Sequence, residues 1–159
     1  MIILTGGAGM IGSMIAWHLN TILNENKFVV FDDLVNQDQE KNLAKRKFID
    51  LIDKNDLPKF FKNNKKITAV IHMGAISTTT ESNFNKLLIS NIRYSQMLWS
   101  WCSANKVPFI YASSAATYGG GENGYDDNEN LLSKLIPLNA YGYSKHFFDQ
   151  WVHSQVKSN

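Results

Sequence analysis

Ile2-Ile3-Leu4-Thr5-Gly6-Gly7-Ala8-Gly9-Met10-Ile11-Gly12 is the stretch that decides the fold. The short apolar run at its start predicts a β-strand over Ile2 to Thr5, and the residues from Met10 to about Leu23 predict a helix. Between them Gly6, Gly9 and Gly12 form G-x-x-G-x-x-G. In such a loop Gly6 permits the tight turn, Gly9 lets backbone N–H groups approach a pyrophosphate, and Gly12 allows the helix to pack on the strand. The helix N-terminus adds partial positive charge for the phosphates. A glycine triplet alone is weak; flanked by a strand and a helix it reads as a dinucleotide loop.

Outward from that loop, short apolar runs alternate with helix-length segments. Phe28 to Phe31, Lys47 to Ile49, Ala69 to Met73 and Pro108 to Ala112 predict further strands, the second of these being the weakest. Helices are predicted around Asp53 to Asn63, from Phe84 to Asn105 and from near Tyr141. Alternation of this kind implies βαβ units and a parallel sheet. Right-handed crossovers then make the fold α/β, a Rossmann-type doubly wound sheet of order 3-2-1-4-5. Residues 1–159 are expected to form a single cofactor-binding domain. The Gly- and Asn-rich segment Gly119 to Asn130 reads as a loop bordering a substrate.

With 44% hydrophobic and 19% charged residues, the composition is that of an ordinary globular domain. Sixteen basic against 14 acidic residues give a net charge of +2 and no basic stripe, so no nucleic-acid partner is expected. No apolar run approaches the ~20 residues of a membrane span, and no signal peptide is visible, so no membrane partner is expected. The single cysteine, Cys102, lies in an apolar run and reads as a core residue, which fits a reducing cytoplasm. The histidines show no ligand spacing, and no metal is expected. Trp99, Trp101, Phe147, Phe148 and Trp151 fall on predicted helices, as packing residues or as cover for an interface between subunits.

Tyr141-Gly142-Tyr143-Ser144-Lys145 carries the second chemical signal. Tyr141 and Lys145 are one helical turn apart, which puts their Cβ atoms about 5–6 Å from each other on one face. A free tyrosine, with a pKa of about 10, is a poor base at neutral pH; a neighbouring ammonium and a bound oxidised nicotinamide both favour its phenolate. Ser114 can hydrogen-bond the reacting hydroxyl. Y-x-x-x-K recurs by chance on many helices, and its weight comes from following both the glycine loop and Ser113-Ser114. Around the cofactor, Asp32 and Asp33 end the second strand, where an acid accepts ribose hydroxyls and favours NAD. Lys41, Lys45, Arg46 and Lys54 follow, and a cation there neutralises the 2′-phosphate of NADP. The residues themselves leave NAD and NADP open. Met73-Gly74-Ala75-Ile76-Ser77 closes the fourth strand with small residues, and Asn91 is a candidate to bridge a buried backbone group.

The segments TGGAGMIG, GAISTTTE, YASSAATYGG and PLNAYGYSK together resemble the extended short-chain dehydrogenase/reductase superfamily, and within it the ADP-L-glycero-D-manno-heptose 6-epimerase family. The resemblance runs from Met1 to about Val152. It implies NADP-dependent inversion at C6 of an ADP-linked heptose, in a pathway to lipopolysaccharide core, by a cytoplasmic homo-oligomer. By motif position it makes Tyr141 the acid/base residue, Lys145 its partner and a nicotinamide-ribose ligand, and Ser114 the hydroxyl donor. It adds Gly6, Gly9, Met10, Ile11, Gly12, Asp32, Asp33, Lys54, Met73 to Ser77 and Asn91 as the cofactor lining, and it tips the cofactor to NADP, NAD being the alternative. Asn36 to Lys41 departs from the family pattern, leaving Lys41 as the second choice of cation. The family's chain continues for about as many residues again, so this chain reads as the cofactor half, expected to bind NADP without epimerising. The rival readings are a UDP-hexose 4-epimerase, which shares dyad and loop, and a non-catalytic dinucleotide-binding module. A 4,6-dehydratase fits less well, because Ala115-Ala116 stand where it needs an acid pair.

Overall fold

The structure, a computed structural model, describes residues 1–33, 37–64 and 66–157, the side chains of residues 37, 38 and 157 excepted. Asn36, in the stretch that departs from the family pattern, lies outside the described residues. The chain forms two compact units: Met1–Gly74 with Trp101–Ala112, and Ala75–Ser100 with Ser113–Asn159.

The first unit holds the sheet. Its strands are β1 (Ile2–Thr5), β2 (Phe28–Asp32), β3 (Asp50–Asp53), β4 (Ala69–His72) and β5 (Phe109–Tyr111). All pairings are parallel, in the order β3-β2-β1-β4-β5. This is the expected Rossmann-type arrangement. β2, Phe-Val-Val-Phe-Asp, is buried at every position, as a strand covered on both faces must be. Leu4, Ala8, Ala16, Leu19, Phe28, Val30 and Leu43 pack as one core cluster. It joins β1 and β2 to α1 (Met10–Thr21) and α2 (Gln37–Leu43). Cys102 is 1% exposed, and burial pushes its thiol pKa up to about 12, so it is a packed apolar group.

Three expectations need correction. The third strand is not Lys47 to Ile49 but Asp50–Asp53. The Ile49 N–H meets Phe28 O at 2.8 Å, and the ladder begins one residue later, pairing Val29 with Asp50 and Asp32 with Asp53. Phe48 instead packs its ring against Phe28 at 6.1 Å, which used the apolar signal without making a strand. Second, the helix α1 stops at Thr21, because Asn24 adopts a positive φ of 50° and the Glu25 N–H turns back to Leu19 O. Third, α2 went unread, since its sequence Gln-Asp-Gln-Glu-Lys-Asn-Leu has a single apolar residue to mark a period. After β3 a 3-10 turn, Lys54–Asp56, leads into α3 (Leu57–Asn63), whose first turn accepts Pro58.

The second unit is helical. The segment expected as one helix from Phe84 to Asn105 is α4 (Phe84–Leu87), a π-helical stretch Leu88–Arg93, and α5 (Tyr94–Asn105), whose C-terminal residues belong to the first unit. Asn91 sits inside the π stretch. The last helix, α6, runs Ala140–Lys157. Gly119 to Asn130 is irregular, as expected, but tied down: the Tyr118 hydroxyl donates to Asp127, and Asn123 Nδ2 donates to Lys134 O over 2.7 Å.

Candidate active site

In the first unit the glycine loop between β1 and α1 is fixed by backbone contacts. The Gly6 N–H donates to Phe31 O over 2.8 Å, tying the end of β1 to β2. Gly6 has φ +69°, and a Cβ there would lie 2.3 Å from Gly74 N. A Cβ on Gly12 would stand 2.1 Å from Gly6 O. Backbone therefore occupies the space a side chain would need, so the fold itself requires both glycines. Gly9 differs. Among the described residues a Cβ there would meet only Gly6 O within 4 Å, at 3.3 Å. The protein's own packing leaves the space above Gly9 open, which fits a loop whose ligand lies against the backbone. Met10 and Ile11, 78% and 57% exposed, sit beside that space in the first turn of α1. Met73 and Gly74 follow β4, the Met73 N–H donating to Thr5 O over 3.0 Å.

The two acids at the end of β2 are already engaged. Asp32 Oδ2 accepts the Ala8 N–H at 2.7 Å, and its Oδ1 accepts the Asp33 N–H at 2.8 Å. Burial pushes the Asp32 carboxyl pKa up, against the lowering effect of those two backbone hydrogen bonds. Asp33 Oδ2 pairs with Lys54 Nζ at 2.6 Å, so Lys54 is joined to an acid of β2. The strand register explains this pair: Asp32 opposes Asp53, which sets Asp33 and Lys54 beside each other just past the ladder. Asn42 escaped the sequence reading because α2 did, whereas Arg46 was read there as a candidate cation. Asn42 Nδ2 donates to Ala8 O over 2.9 Å, and Arg46 Nε donates to Ser13 O over 3.2 Å.

The second unit gathers the proton-transfer candidates. Asn139 caps α6, its Oδ1 accepting the Gly142 N–H at 2.8 Å. Tyr141 and Lys145, four residues apart on α6, are 9% and 5% exposed. Burial pushes the Lys145 ammonium pKa down, Asp149 one turn further on opposing it. Ser114 precedes a 3-10 turn, Ala115–Tyr118, and its Oγ accepts the Ala116 N–H at 3.2 Å. A Cβ on Gly142 would lie 2.8 Å from Ala116 O, so the first turn of α6 packs backbone to backbone on the turn that Ser114 begins. That glycine seats the first turn of α6, which bears Tyr141, against the turn that Ser114 begins.

Asn91 reaches α6 from the π stretch. Its Oδ1 accepts the Ile76 N–H at 2.9 Å, and its Nδ2 donates to Ile76 O at 3.0 Å and to Ser144 Oγ at 2.9 Å. The Asn91 amide is thus spent on the Ala75-Ile76-Ser77 backbone and on α6. Ser144, fully buried, was not singled out from the sequence, where it is one residue of a five-residue motif with no spacing signal of its own. His146, 3% exposed, has its Nδ1 without a hydrogen-bond partner among the described residues. Burial lowers its pKa, Asp149 again opposing. Of the residues read from sequence, Gly6, Gly9, Met10, Ile11, Gly12, Asp32, Asp33, Lys54, Met73 and Gly74 belong to the first unit. Ala75, Ile76, Ser77, Asn91, Ser114, Tyr141 and Lys145 belong to the second. Among the described residues no group of three His, Cys, Asp or Glu is placed to hold a metal, and no helix is long and apolar enough to cross a membrane.

Residues 2–159 match the model of the NAD dependent epimerase/dehydratase family. An ADP-L-glycero-D-manno-heptose-6-epimerase from Fusobacterium nucleatum is 48% identical over 160 residues, covering 98% of this chain and 48% of that protein. Among solved structures, the ADP-L-glycero-D-manno-heptose-6-epimerase of Helicobacter pylori superposes with a TM-score of 0.79 at 30% identity, covering 97% of this chain and 50% of that one. A UDP-glucose 4-epimerase from Brucella ovis, solved in complex with NAD, gives 0.74 at 26% identity, covering 98% of this chain and 47% of that one. The chain spans about half the length of the curated relatives it matches. With residues 2–159 matched, the chain belongs to the NAD dependent epimerase/dehydratase family.

Proposed function

We propose that this chain is the NADP-binding half, over residues 1–159, of an epimerase that inverts C6 of an ADP-linked heptose. The reaction would run by transient oxidation and re-reduction, supplying a cytoplasmic route to lipopolysaccharide core. The cofactor choice rests on the cations after β2, since Asp32 and Asp33, though engaged with backbone N–H groups and with Lys54, keep lone pairs that a ribose diol could still use. α2 carries Lys41, and Lys45 and Arg46 follow it in the same unit, cations suited to a 2′-phosphate.

On this reading the Gly6–Gly12 loop, with the exposed Met10 and Ile11, binds the pyrophosphate. Asp32, Asp33 and Lys54 border the adenosine, and Met73 to Ser77 line the rest of the cofactor. Asn91 acts on that lining through Ile76, whose N–H and carbonyl it holds. Held by the residues above, NADP would supply the two-electron chemistry at C6, as hydride acceptor and then hydride donor. Tyr141 takes the proton from the C6 hydroxyl as that carbon is oxidised and returns a proton when it is reduced. Lys145, buried one turn away, favours the Tyr141 phenolate and binds the nicotinamide ribose. Ser114 donates a hydrogen bond to the reacting oxygen. Sugar binding, a second base and homo-oligomer contacts would come from further chain, so these residues alone hold cofactor without turnover.

The observation that carries the proposal is the burial of Tyr141 and Lys145 on one helix whose glycine packs on the Ser114 turn. Its test is incubation of the 159-residue chain with NADP and an ADP-heptose, read by proton NMR at C6. Cofactor binding without a change at C6 is expected; epimerisation would refute the assignment to a cofactor half.

A further inference from the structure

We infer that Asn42 is a positioning residue for cofactor choice: it fixes the basic helix α2 to the dinucleotide loop, and the preference for a 2′-phosphate depends on that bond. The inference rests on the NADP reading above. Three hydrogen bonds carry it. The Ala8 N–H donates to Asp32 Oδ2 over 2.7 Å, holding the loop to the end of β2, where the adenosine ribose of a dinucleotide lies in this fold. The carbonyl of the same Ala8 accepts from Asn42 Nδ2 at 2.9 Å, joining α2 to the same loop residue. Four residues on, Arg46 Nε donates to Ser13 O on α1 over 3.2 Å.

One loop residue is thus clamped between an acid on β2 and an amide on α2. Lys41, adjacent to Asn42, is exposed, as is Lys45. Leu43 is the one buried side chain of α2 among those described, in the core cluster with Ala8. A helix of seven residues has almost no stability of its own. Leu43, the Asn42 bond and, three residues past its end, the Arg46 bond all help to place it. Losing the Asn42 bond frees α2 to shift while leaving the glycine loop, which is built from β1, β2 and Gly74, in place. The cost should fall on contacts to the 2′-phosphate, which NADPH has and NADH lacks, and spare the pyrophosphate contacts that the two share.

The test is equilibrium titration of the chain with NADPH and, separately, NADH, following nicotinamide fluorescence, for the wild type, Asn42→Ala and Asn42→Asp. One neutral hydrogen bond corresponds to about a fivefold change in affinity. NADPH affinity is expected to fall about fivefold or more in Asn42→Ala, with NADH affinity within twofold of wild type. Asn42→Asp, which cannot donate to the Ala8 carbonyl and adds negative charge, should lose more. Should Asn42→Ala fail to fold by far-UV circular dichroism, the near-isosteric Asn42→Asp decides alone. Equal loss for both cofactors, or none for NADPH, in a wild type that prefers NADPH would overturn the role of Asn42 and leave the NADP reading standing. A wild type that prefers NADH, or binds neither, would overturn that reading and this inference with it.

Discussion

Asn91 Nδ2 donates to Ser144 Oγ over 2.9 Å, and Ser144 Oγ passes a 2.7 Å hydrogen bond on to the Tyr141 carbonyl. An asparagine of the π-helical stretch is thereby bonded to the turn of α6 that bears Tyr141. The same amide also grips both polar groups of Ile76, so one side chain sets the backbone of residues 75–77 and the pitch of α6. π stretches are costly and recur at functional sites; here the stretch places an amide that makes three bonds.

Asn91→Ala should destabilise the fold by about 3 kcal/mol, because it leaves buried partners on Ile76 and Ser144 unsatisfied. Asn91→Asp should fall between, still accepting from Ile76 N–H but unable to donate. Urea denaturation midpoints measure both. A shift below about 0.5 kcal/mol for Asn91→Ala would show that the amide is not a strut.

Gly9 and Gly12 should separate binding from folding. A Cβ at Gly12 meets Gly6 O at 2.1 Å, so Gly12→Ala should lower the melting temperature sharply. Among the described residues a Cβ at Gly9 finds only one atom, at 3.3 Å, so Gly9→Ala should cost at most about 1 kcal/mol of stability while weakening NADPH binding at least tenfold. Retained affinity in Gly9→Ala would place the pyrophosphate elsewhere.

Lys145→Met should stabilise the protein or leave it unchanged, and should weaken cofactor binding. Burial holds the folded Lys145 pKa below its ordinary value of 10.5, Asp149 opposing in part. The unfolded chain then binds this proton more tightly, so the charged form costs stability at pH 7, and that cost fades as pH rises to 10.5. The stability advantage of Lys145→Met should accordingly shrink between neutral pH and pH 10.5 in thermal melts taken across that range. An advantage that grows with pH would contradict the sign.

His146 makes the opposite end of the pH range sensitive. Burial lowers its folded pKa below 6.5, with Asp149 opposing. Its stability contribution is therefore complete above pH 6.5 and is lost as pH falls through that value toward the folded pKa. His146→Phe, which fills the site without a proton to gain, should melt with a flatter dependence between pH 7 and pH 5. It should also be the more stable by about 1–3 kcal/mol at the acid end, given a buried Nδ1 with no partner among the described residues. Parallel pH profiles for variant and wild type would remove His146 from the account.

The strand order and the glycine loop were legible in the sequence because parallel, doubly covered strands such as Phe28–Asp32 are continuous apolar runs, and a loop glycine is a type, not a pattern. β3 was misplaced because an edge strand tolerates Asp50 and Asp53, while Phe48 just before it carries the apolar signal. α2 was invisible: its placement comes from Leu43, from Asn42 on a carbonyl 34 residues away and from the Arg46 bond. The same limit hid Ser144, whose partner Asn91 lies 53 residues off. That Asp32 is already engaged is likewise a fact of loop geometry, whereas its type alone pointed to NAD.

The most direct test of the central claim is equilibrium titration of the wild-type chain with NADPH against NADH, followed by nicotinamide fluorescence. Saturable one-to-one binding with NADPH the tighter is expected if the loop, Asp32 and α2 act as described. No saturable binding of either, or a preference for NADH, would contradict it.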